Sequence, residues 1–241
     1  MYDTYLFDLY GTLLDIRTEE QSIETWRAFT AHLKQHGIRY HARFARWLFN
    51  RKCEKICSEP TRYRYPEHDI LPAFAYLIRR KKKNADDAFV WECGEMFRKL
   101  SVRKIGLYEN SLKTLDTLRQ EGKRVILLSN AQLVYTKQEI EQFRLEEHLD
   151  DLFISSVEGC MKPDPEFFMA PVRKYHLDVS RCLMIGNDEG SDVAGAKAAG
   201  MDCAFVKTDS AETDSAGKPL PDCKFVYPDG DVIHVLETLA E

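Results

Sequence analysis

The sequence lacks long hydrophobic runs and has no excess of positive charge. No apolar stretch approaches the ~18 residues that a membrane-spanning helix needs, so we expect no membrane segment. The 34 lysines and arginines are outnumbered by 39 aspartates and glutamates, which gives a net charge of −5. A chain of this charge has no general electrostatic attraction for nucleic acids or anionic membranes, so we expect neither as a partner.

Features typical of secreted proteins are also scarce. A strand-like pattern begins within the first few residues, so we expect no signal peptide. Seven cysteines, an odd number, fit a reducing compartment better than a disulfide framework. Cys53 and Cys57 are four residues apart with no matching cysteine or histidine pair nearby, and we interpret them as packing residues. These absences favour a soluble, cytoplasmic protein.

Two kinds of sequence pattern alternate along the 241 residues. At the start, and again from about residue 104 onward, short β-rich runs are separated by amphipathic stretches. This alternation is typical of a parallel sheet with helices on both faces. The predicted fold class is therefore α/β with a Rossmann-like sheet. The predicted strands are Tyr5–Phe7, Val125–Leu128, Leu152–Ile154, Cys182–Ile185 and Ala204–Val206.

Residues 16–103 lack this alternation and carry apolar side chains at helical spacing. Examples are Ile23, Trp26, Phe29 and Leu33, followed by Phe44, Trp47 and Leu48. We predict a helical cap domain here, made of about four helices and inserted into a core domain formed by residues 1–15 and 104–241. We expect Trp26 and Trp47 to pack inside the cap, with the crevice as the alternative location for either.

Polar residues follow the predicted strands at the edge where open parallel sheets form their sites. They are Asp8, Ser129, Asn130, Asn187 and Asp188, with Lys162 and Asp192 close behind in the sequence. Carboxylates that converge in one crevice repel each other unless a hard cation lies among them. Mg²⁺ is the usual cation beside one or two carboxylates and phosphate oxygens. A lysine and a hydroxyl near helix N-termini suit the oxygens of a phosphoryl group.

Four motifs, in this order, resemble those of the haloacid dehalogenase-like (HAD) hydrolase superfamily, in the branch with a helical cap of the first type. The motifs are FDLYGTLLD from residue 7, LLSNA from residue 127, MKPDPEFF from residue 161 and GNDEGSDVAGAKAAGM from residue 186. The resemblance runs nearly end to end and implies an enzyme, a hydrolase with an α/β core and a helical cap.

The resemblance implies catalytic roles for three residues. Asp8 matches the nucleophile that forms a covalent aspartyl intermediate. Lys162 matches the lysine that balances charge, and Ser129 matches the hydroxyl that binds the phosphoryl group. The backbone amides implied to help bind substrate are those of Gly11, Thr12 and Asn130.

The resemblance also implies a Mg²⁺ site. Its implied ligands are Asp8, the backbone carbonyl of Tyr10, Asp188 and Asp192. Asn187 stands where many family members carry an aspartate, although Asp188 and Asp192 keep an accepted Asp-x3-Asp spacing. Which of these side chains contacts the metal directly therefore remains open.

Tyr10 is the larger departure from the family pattern, and we include it among the candidate catalytic residues. Most phosphatases of the family carry an aspartate there, which protonates the leaving group and later activates water. A phenol with an ordinary pKa of about 10 is a poor base near pH 7. Losing a positioned acid or base typically costs ~10²–10⁴ in rate. The Asp-x-Tyr-Gly-Thr pattern resembles the 2-haloacid dehalogenases of the family, whose halide leaves without a proton.

Two catalytic interpretations follow. In the first, Asp8 displaces halide from a 2-halocarboxylate without a metal, and an arginine receives the halide. Arg39, Arg43 and Arg46 lie at a suitable distance along the sequence. In the second, Asp8 takes a phosphoryl group from a small phosphate ester beside Mg²⁺, and positioning and charge neutralisation supply most of the catalysis.

The acidic fourth motif favours the phosphatase, because acids around an anionic substrate make electrostatic sense only with a cation. A protein that keeps the fold and binds a ligand without turnover is a further alternative. The sequence leaves the substrate open, and it leaves a monomer and a homodimer equally open.

Overall fold

The structure is a computed structural model that describes residues 1–208 and 221–240. The strands are β1 (Thr4–Phe7), β2 (Leu14–Thr18), β3 (Val102–Leu107), β4 (Arg124–Ser129), β5 (Asp151–Ile154), β6 (Cys182–Gly186), β7 (Asp202–Val206) and β8 (Phe225–Tyr227). The α-helices are α1 (Ile23–Gln35), α2 (Ala42–Cys57), α3 (Leu71–Arg79), α4 (Asp87–Ser101), α5 (Ser111–Gln120), α6 (Leu133–Gln142), α7 (Ser155–Glu158), α8 (Pro165–Tyr175) and α9 (Ala194–Ala199). Short 3₁₀ helices cover Leu145–His148, Val179–Arg181 and Val232–Ala240, and a π-helical turn covers Glu189–Val193.

A parallel sheet is the centre of the fold. Within the described residues it has six strands in the order β5-β4-β1-β6-β7-β8. In β1, Phe7 lies opposite Leu127 of β4 on one side and Ile185 of β6 on the other. The strand order changes direction between β1 and β6, which is where a crevice opens at the carboxyl edge of such sheets. The α/β fold class and the five predicted strands are confirmed, and β8 is a strand that the sequence analysis missed.

Alternating residues of the strands pack into two separate hydrophobic cores, one on each face of the sheet. Tyr5 and Phe7 of β1 belong to one core, and Leu6 between them belongs to the other. The neighbouring strands follow the same alternation, because successive side chains of a strand point to opposite faces. Both faces of the sheet are therefore covered, as parallel sheets require.

Helices α1–α4 form a bundle, which we call the helix bundle, around a third hydrophobic core of aromatic rings. Trp26 lies at its centre, fully buried, with its ring centroid 4.9 Å from that of Phe97. Trp91 of α4 is half-buried and donates a hydrogen bond to Glu95 at 2.8 Å. Trp47 differs from its prediction, because 51% of it is exposed on the outer face of α2, where it stacks on Phe44.

Two antiparallel strands, β2 and β3, connect the helix bundle to the rest of the chain. The sequence analysis missed them, because both strands are short and carry charged residues. The boundaries proposed at residues 15/16 and 103/104 fall inside these strands, and the division into core and cap domains stays a prediction. Helix α6 also contacts the bundle, since its Val134 and Tyr135 pack in the bundle core.

The seven cysteines are all free thiols, with Cys57 exposed and Cys53 half-buried. Among the described residues, none of the helices combines the length and the apolar character that crossing a membrane requires.

Gly195 of α9 packs against α8 so closely that no side chain fits. A Cβ atom there would overlap the ring of Phe168 and come within 3.0 Å of the Cα atom of Pro163. We expect Gly195→Ala to destabilise the fold by about 1–3 kcal/mol, although alanine ordinarily favours a helix. Gly106→Ala is the matched control, because nothing lies within 4 Å of a Cβ atom at that position. Urea unfolding of both variants measures the difference; equal stability of the two would contradict the proposed clash.

Candidate active site

A cavity of about 320 Å³ opens at the carboxyl edge of β1 and β6. It is lined by Asp8, Tyr10, Gly11, Ile16, Asn130, Lys162, Asn187, Asp188, Ser191 and Asp192. The structure thus brings together seven of the nine side chains or backbone groups proposed from the sequence. The other two, Thr12 and Ser129, are not in the lining, but each is next in sequence to a lining residue, Gly11 or Asn130.

A buried ion triad occupies the floor of the cavity. The ammonium group of Lys162 lies 2.6 Å from Asp8 Oδ1 and 2.7 Å from Asp192 Oδ1. Asp8 is 7% exposed, and Lys162 and Asp192 are 2% and 1% exposed. Water therefore screens these charges weakly, and the three side chains hold each other in place.

The triad shifts the titration of two of its members. Burial alone would lower the pKa of the Lys162 ammonium, but the Asp192 and Asp8 carboxylates raise that pKa above its ordinary value. Burial raises the pKa of the Asp192 carboxyl above its ordinary value; the Lys162 ammonium opposes that shift and the Asp8 carboxylate adds to it. The two acids thus compete for one cation.

Hydrogen bonds to their own backbone groups position Asp8 and Lys162. The amide of Asp8 donates to the carbonyl of Ile185 at 2.9 Å, so β6 holds the first residue after β1. The side chain of Asn130 bonds the backbone of Lys162 twice, donating to its carbonyl at 2.9 Å and accepting from its amide at 2.7 Å. Asn130 therefore clamps the lysine segment, a role that the sequence did not suggest.

The loop after β6 is organised by its own acids. Asp192 Oδ2 accepts a hydrogen bond from the amide of Asp188 at 3.0 Å, so both oxygens of Asp192 are engaged within the protein. Asp188 Oδ1 accepts from the amides of Gly190 and Ser191 at 2.7 and 2.9 Å, and the exposed Asp188 side chain lines the cavity. Gly186 has no room for a Cβ atom, which would overlap the Asp192 carboxylate.

The hydroxyl of Ser129 is fully buried at the end of β4 and has no hydrogen-bond partner among the described residues. An unpaired buried hydroxyl costs about 1–3 kcal/mol, so a ligand that satisfied it would recover that free energy. The Thr12 hydroxyl lies 3.4 Å from Asp8 Oδ2, and the Gly11 amide donates to the Leu14 carbonyl at 2.7 Å. The phosphate-binding roles of Gly11 and Thr12 stay predictions.

Tyr10 lines the cavity, but its hydroxyl is bonded elsewhere. The hydroxyl donates to Glu139 of α6 in a very short hydrogen bond and lies 2.9 Å from the hydroxyl of Thr136. Burial raises the pKa of the Tyr10 phenol, and the Glu139 carboxylate raises it further, although the Arg98 guanidinium opposes the shift. In this arrangement the Tyr10 phenol keeps its proton near neutral pH, and that proton is engaged in the hydrogen bond to Glu139 and is not offered to a leaving group.

The donor set in the cavity fits Mg²⁺. In the described part of the chain no three histidine, cysteine, aspartate or glutamate side chains form a metal cluster by themselves. A Mg²⁺ site needs fewer, since one or two carboxylates suffice beside waters and phosphate oxygens. Asp8, Asp188 and the Tyr10 carbonyl belong to residues that line one cavity, where two buried carboxylates share a single lysine. A cation would balance the remaining negative charge.

The arginines considered as halide receptors lie outside this cavity. Arg39 and Arg43 are exposed on the helix bundle, and Arg46 donates to the carbonyl of Gln21 at 2.6 Å. None of the three is among the residues that line the cavity in the described structure. Arg98 approaches Tyr10, but it is ion-paired with Glu139 and Glu20, each at 2.6 Å.

Sequence reasoning missed Glu139, Arg98 and Ile16. Glu139 lies on the buried face of α6, three residues after Thr136 and four after Tyr135. The signal available in the sequence was the position of Glu139 within an apolar stripe of α6. A carboxylate that is buried in this way needs a charged or hydrogen-bonding partner. Ile16 reaches the cavity from β2, a strand that the sequence did not reveal.

Comparison with known proteins identifies the family and supports the fold. The profile of the family described as haloacid dehalogenase-like hydrolase matches residues 2–200. A 2-haloacid dehalogenase from Pseudomonas syringae pv. Tomato has a similar structure, with a TM-score of 0.70 and 18% identity over 100% of this chain and 99% of that one. A HAD phosphatase from Thermococcus onnurineus has a TM-score of 0.61 and 17% identity over 98% and 97% of the two chains. At these identities the structural likeness shows the fold alone.

Several curated relatives are phosphatases, and two of them illustrate the match. Glyceraldehyde 3-phosphate phosphatase of Pyrococcus abyssi is 25% identical over 143 residues, 59% of this chain and 58% of that protein. Ribulose-1,5-bisphosphate 5-phosphatase of Halopiger xanaduensis is 24% identical over 127 residues, 52% of this chain and 53% of that protein. The chain thus spans little more than half the length of these relatives. The fold and the family match define the protein class, a hydrolytic enzyme built on a parallel α/β sheet. The chain belongs to the haloacid dehalogenase-like hydrolase family.

Replacing Lys162 by methionine leaves two buried carboxylates without their cation. We expect Lys162→Met to lose about 3–5 kcal/mol of stability near neutral pH. The pKa of the Asp192 carboxyl is raised to about 7 by burial in the parent protein, where the Lys162 ammonium opposes that shift, so loss of the ammonium raises this pKa further and the folded variant keeps a proton that the folded parent releases. Its stability relative to the parent protein therefore falls as the pH rises through and above about 7.

Melting temperatures at pH 5 and pH 8, in EDTA, measure this effect. Lys174→Met is the control, because Lys174 pairs with Asp151 at 2.7 Å on the surface. An equal loss in Lys162→Met at both pH values would contradict the shared-cation arrangement.

Proposed function

We propose that the protein is a Mg²⁺-dependent phosphatase that acts on a small phosphorylated metabolite through a covalent phosphoaspartate on Asp8. The observation that carries the proposal is the Asp8–Lys162 ion pair, 2.6 Å long, on the floor of a polar cavity that also contains Asp188. Asp8 is held by Lys162 at the crevice between β1 and β6, where its carboxylate can attack the phosphorus of a bound phosphate ester. A nearby cation would offset the repulsion between this carboxylate and the phosphate.

In this scheme an Asp8 oxygen forms a bond to phosphorus as the ester P–O bond breaks, and the leaving oxygen departs with the bonding electron pair as an alkoxide, which takes a proton from solvent water to become the alcohol. Water then attacks the phosphoaspartate, which releases phosphate and restores the Asp8 carboxylate. Lys162 balances the charge of Asp8 and of the phosphoryl oxygens, and the unpaired Ser129 hydroxyl donates to one of them. Bound Mg²⁺ would be held by Asp8, Asp188 and the Tyr10 carbonyl and would neutralise charge on the transferring group.

The names of the curated relatives support phosphate-ester chemistry, although each covers only about half of the chain. We propose the helix bundle as the cap that selects the substrate, and Ile16 on β2 as an apolar contact for its organic part. The subunit is a monomer or a homodimer in this proposal.

Tyr10 keeps dehalogenation as a second candidate. A phenol in place of an acid suits a leaving group that needs no proton, and the Tyr10 hydroxyl is already bonded to Glu139. The acidic loop and the position of Arg39, Arg43 and Arg46 away from the cavity favour the phosphatase over this alternative.

Hydrolysis of p-nitrophenyl phosphate with excess Mg²⁺, and again with EDTA, tests the proposal beside chloride release from 2-chloropropionate. We expect Mg²⁺-dependent release of nitrophenol that falls about 10³-fold or more in Asp8→Asn, because that change removes the nucleophile. Chloride release that EDTA leaves unchanged would favour the dehalogenase instead. Turnover that survives in Asp8→Asn would exclude the covalent scheme.

Asp188→Ala tests the metal assignment. We expect the Mg²⁺ concentration for half-maximal activity to rise about 10- to 100-fold, because a carboxylate ligand is lost. Asp178→Ala is the matched control: Asp178 accepts from the Ser180 amide in the same kind of helix-capping contact, but it precedes β6 at the opposite edge of the sheet. An unchanged Mg²⁺ requirement in Asp188→Ala would remove Asp188 from the site.

A further inference from the structure

A chain of buried polar contacts links Tyr10 to the helix bundle. The Tyr10 hydroxyl donates to Glu139, and Glu139 accepts from Arg98 through two nitrogens, at 2.6 and 3.4 Å. The second side of the Arg98 guanidinium pairs with Glu20 at 2.6 Å. Glu139 is 2% exposed and Arg98 is 6% exposed, so these are interior charges.

The members of this chain of contacts come from separate elements of the structure. Tyr10 lies on the loop between β1 and β2, two residues after the proposed nucleophile, and Glu139 lies on α6. Arg98 is near the end of α4, where the chain leaves the helix bundle, and Glu20 precedes α1, where the chain enters it. These contacts therefore lie where the two chain segments that enter and leave the helix bundle come close to the loop after Asp8, which we call the nucleophile loop.

Packing makes the linkage stiff. The Arg98 guanidinium lies 5.4 Å from the centroid of the Tyr10 ring and 5.3 Å from that of Tyr135. A tyrosine side chain has only two rotatable bonds before its ring, so a fixed hydroxyl also restricts its backbone. On the other side of the loop, Thr208 donates to the Gly11 carbonyl at 2.5 Å. The loop is thus held from two directions.

Stability alone is a weak reason for such a network, because well-packed apolar side chains of similar volume often stabilise a fold as well as a buried ion pair does. A fixed geometry is the stronger reason. The hydroxyl of Tyr10 is bonded to the network while its backbone borders the Asp8 cavity, so any displacement of Glu139 or Arg98 is passed to that cavity.

We propose that Glu139 and Arg98 are positioning residues that hold Tyr10, and through it the loop after Asp8, in register with the helix bundle. Tyr10 is the anchor of the nucleophile loop, and not a substitute for the missing acid. This inference deepens the proposed function. Only its kinetic test, which measures Mg²⁺ activation, rests on that function.

Hydrogen–deuterium exchange of residues 9–14 in the 241-residue chain, without Mg²⁺ or substrate, tests the anchor independently of activity. We expect Glu139→Gln, Arg98→Met and Tyr10→Phe to speed exchange in this loop about tenfold, with smaller effects on the strands of the sheet. Arg98→Lys keeps one cationic contact and should give an intermediate rate. Arg103→Met is the matched control, because Arg103 ties the same junction through Glu19 and Thr25 without touching Tyr10 or Glu139.

Kinetics supply a second readout. With p-nitrophenyl phosphate, Glu139→Gln and Tyr10→Phe should each raise the Mg²⁺ concentration for half-maximal activity about tenfold, since contacts behind a metal ligand commonly carry that much. Because both substitutions break one linkage, the double variant should be little worse than either single variant. Arg103→Met should leave the Mg²⁺ requirement unchanged.

The proposal is overturned if loop exchange in folded Glu139→Gln matches the parent protein, or if Arg103→Met perturbs the loop equally. Additive kinetic effects of Tyr10→Phe and Glu139→Gln would also overturn it. Absence of phosphatase activity in the parent protein would instead contradict the proposed function, and the exchange experiment would still decide whether Tyr10 is the anchor.

Discussion

One lysine shared by two buried carboxylates is the interaction on which the site depends. Asp8 directly follows the central strand β1, Asp192 belongs to the loop after the neighbouring strand β6, and Lys162 reaches between them from a third segment. Each charge would be costly to bury alone, so the three segments are stable only in this mutual arrangement. The small residue at Gly186 and the side-chain clamp of Asn130 are consequences of it, because they give the carboxylate room and aim the lysine.

A second set of interior charges, built around Glu139, gives Tyr10 its place in the molecule. The two sets differ in kind. The lysine triad faces the cavity that contains Asp8, whereas the Glu139 set lies between α4, α6 and the loop after β1, beside a different cavity that Arg98 and Glu139 help to line. Nearness to Asp8 therefore does not make Tyr10 a proton donor. Its hydroxyl is bonded to the carboxylate of Glu139, and we propose that its contribution to the site is geometric.

The parallel sheet and the residues at its strand ends could be predicted from the sequence, because both depend on local patterns: apolar runs, and the polar residues that close them. The β2–β3 pairing could not, since its strands are 84 or more residues apart and neither is strongly apolar. The outward position of Trp47 was not predicted either. The helical spacing of apolar residues in α2 does not reveal which of its aromatic side chains lies on the buried face and which on the exposed face. Glu139 was overlooked because its partners, Arg98 and Tyr10, are distant in sequence.

The distribution of tryptophan has a spectroscopic consequence. All three tryptophans of the chain, Trp26, Trp47 and Trp91, belong to the helix bundle, and the sheet has none. Intrinsic tryptophan fluorescence thus reports on one part of the molecule. The exposed Trp47 emits at longer wavelengths and the buried Trp26 at shorter wavelengths. Far-ultraviolet dichroism averages over the whole backbone. Divergence between these two signals during denaturation would reveal that the bundle and the sheet lose their structure in separate steps, without any label attached to the protein.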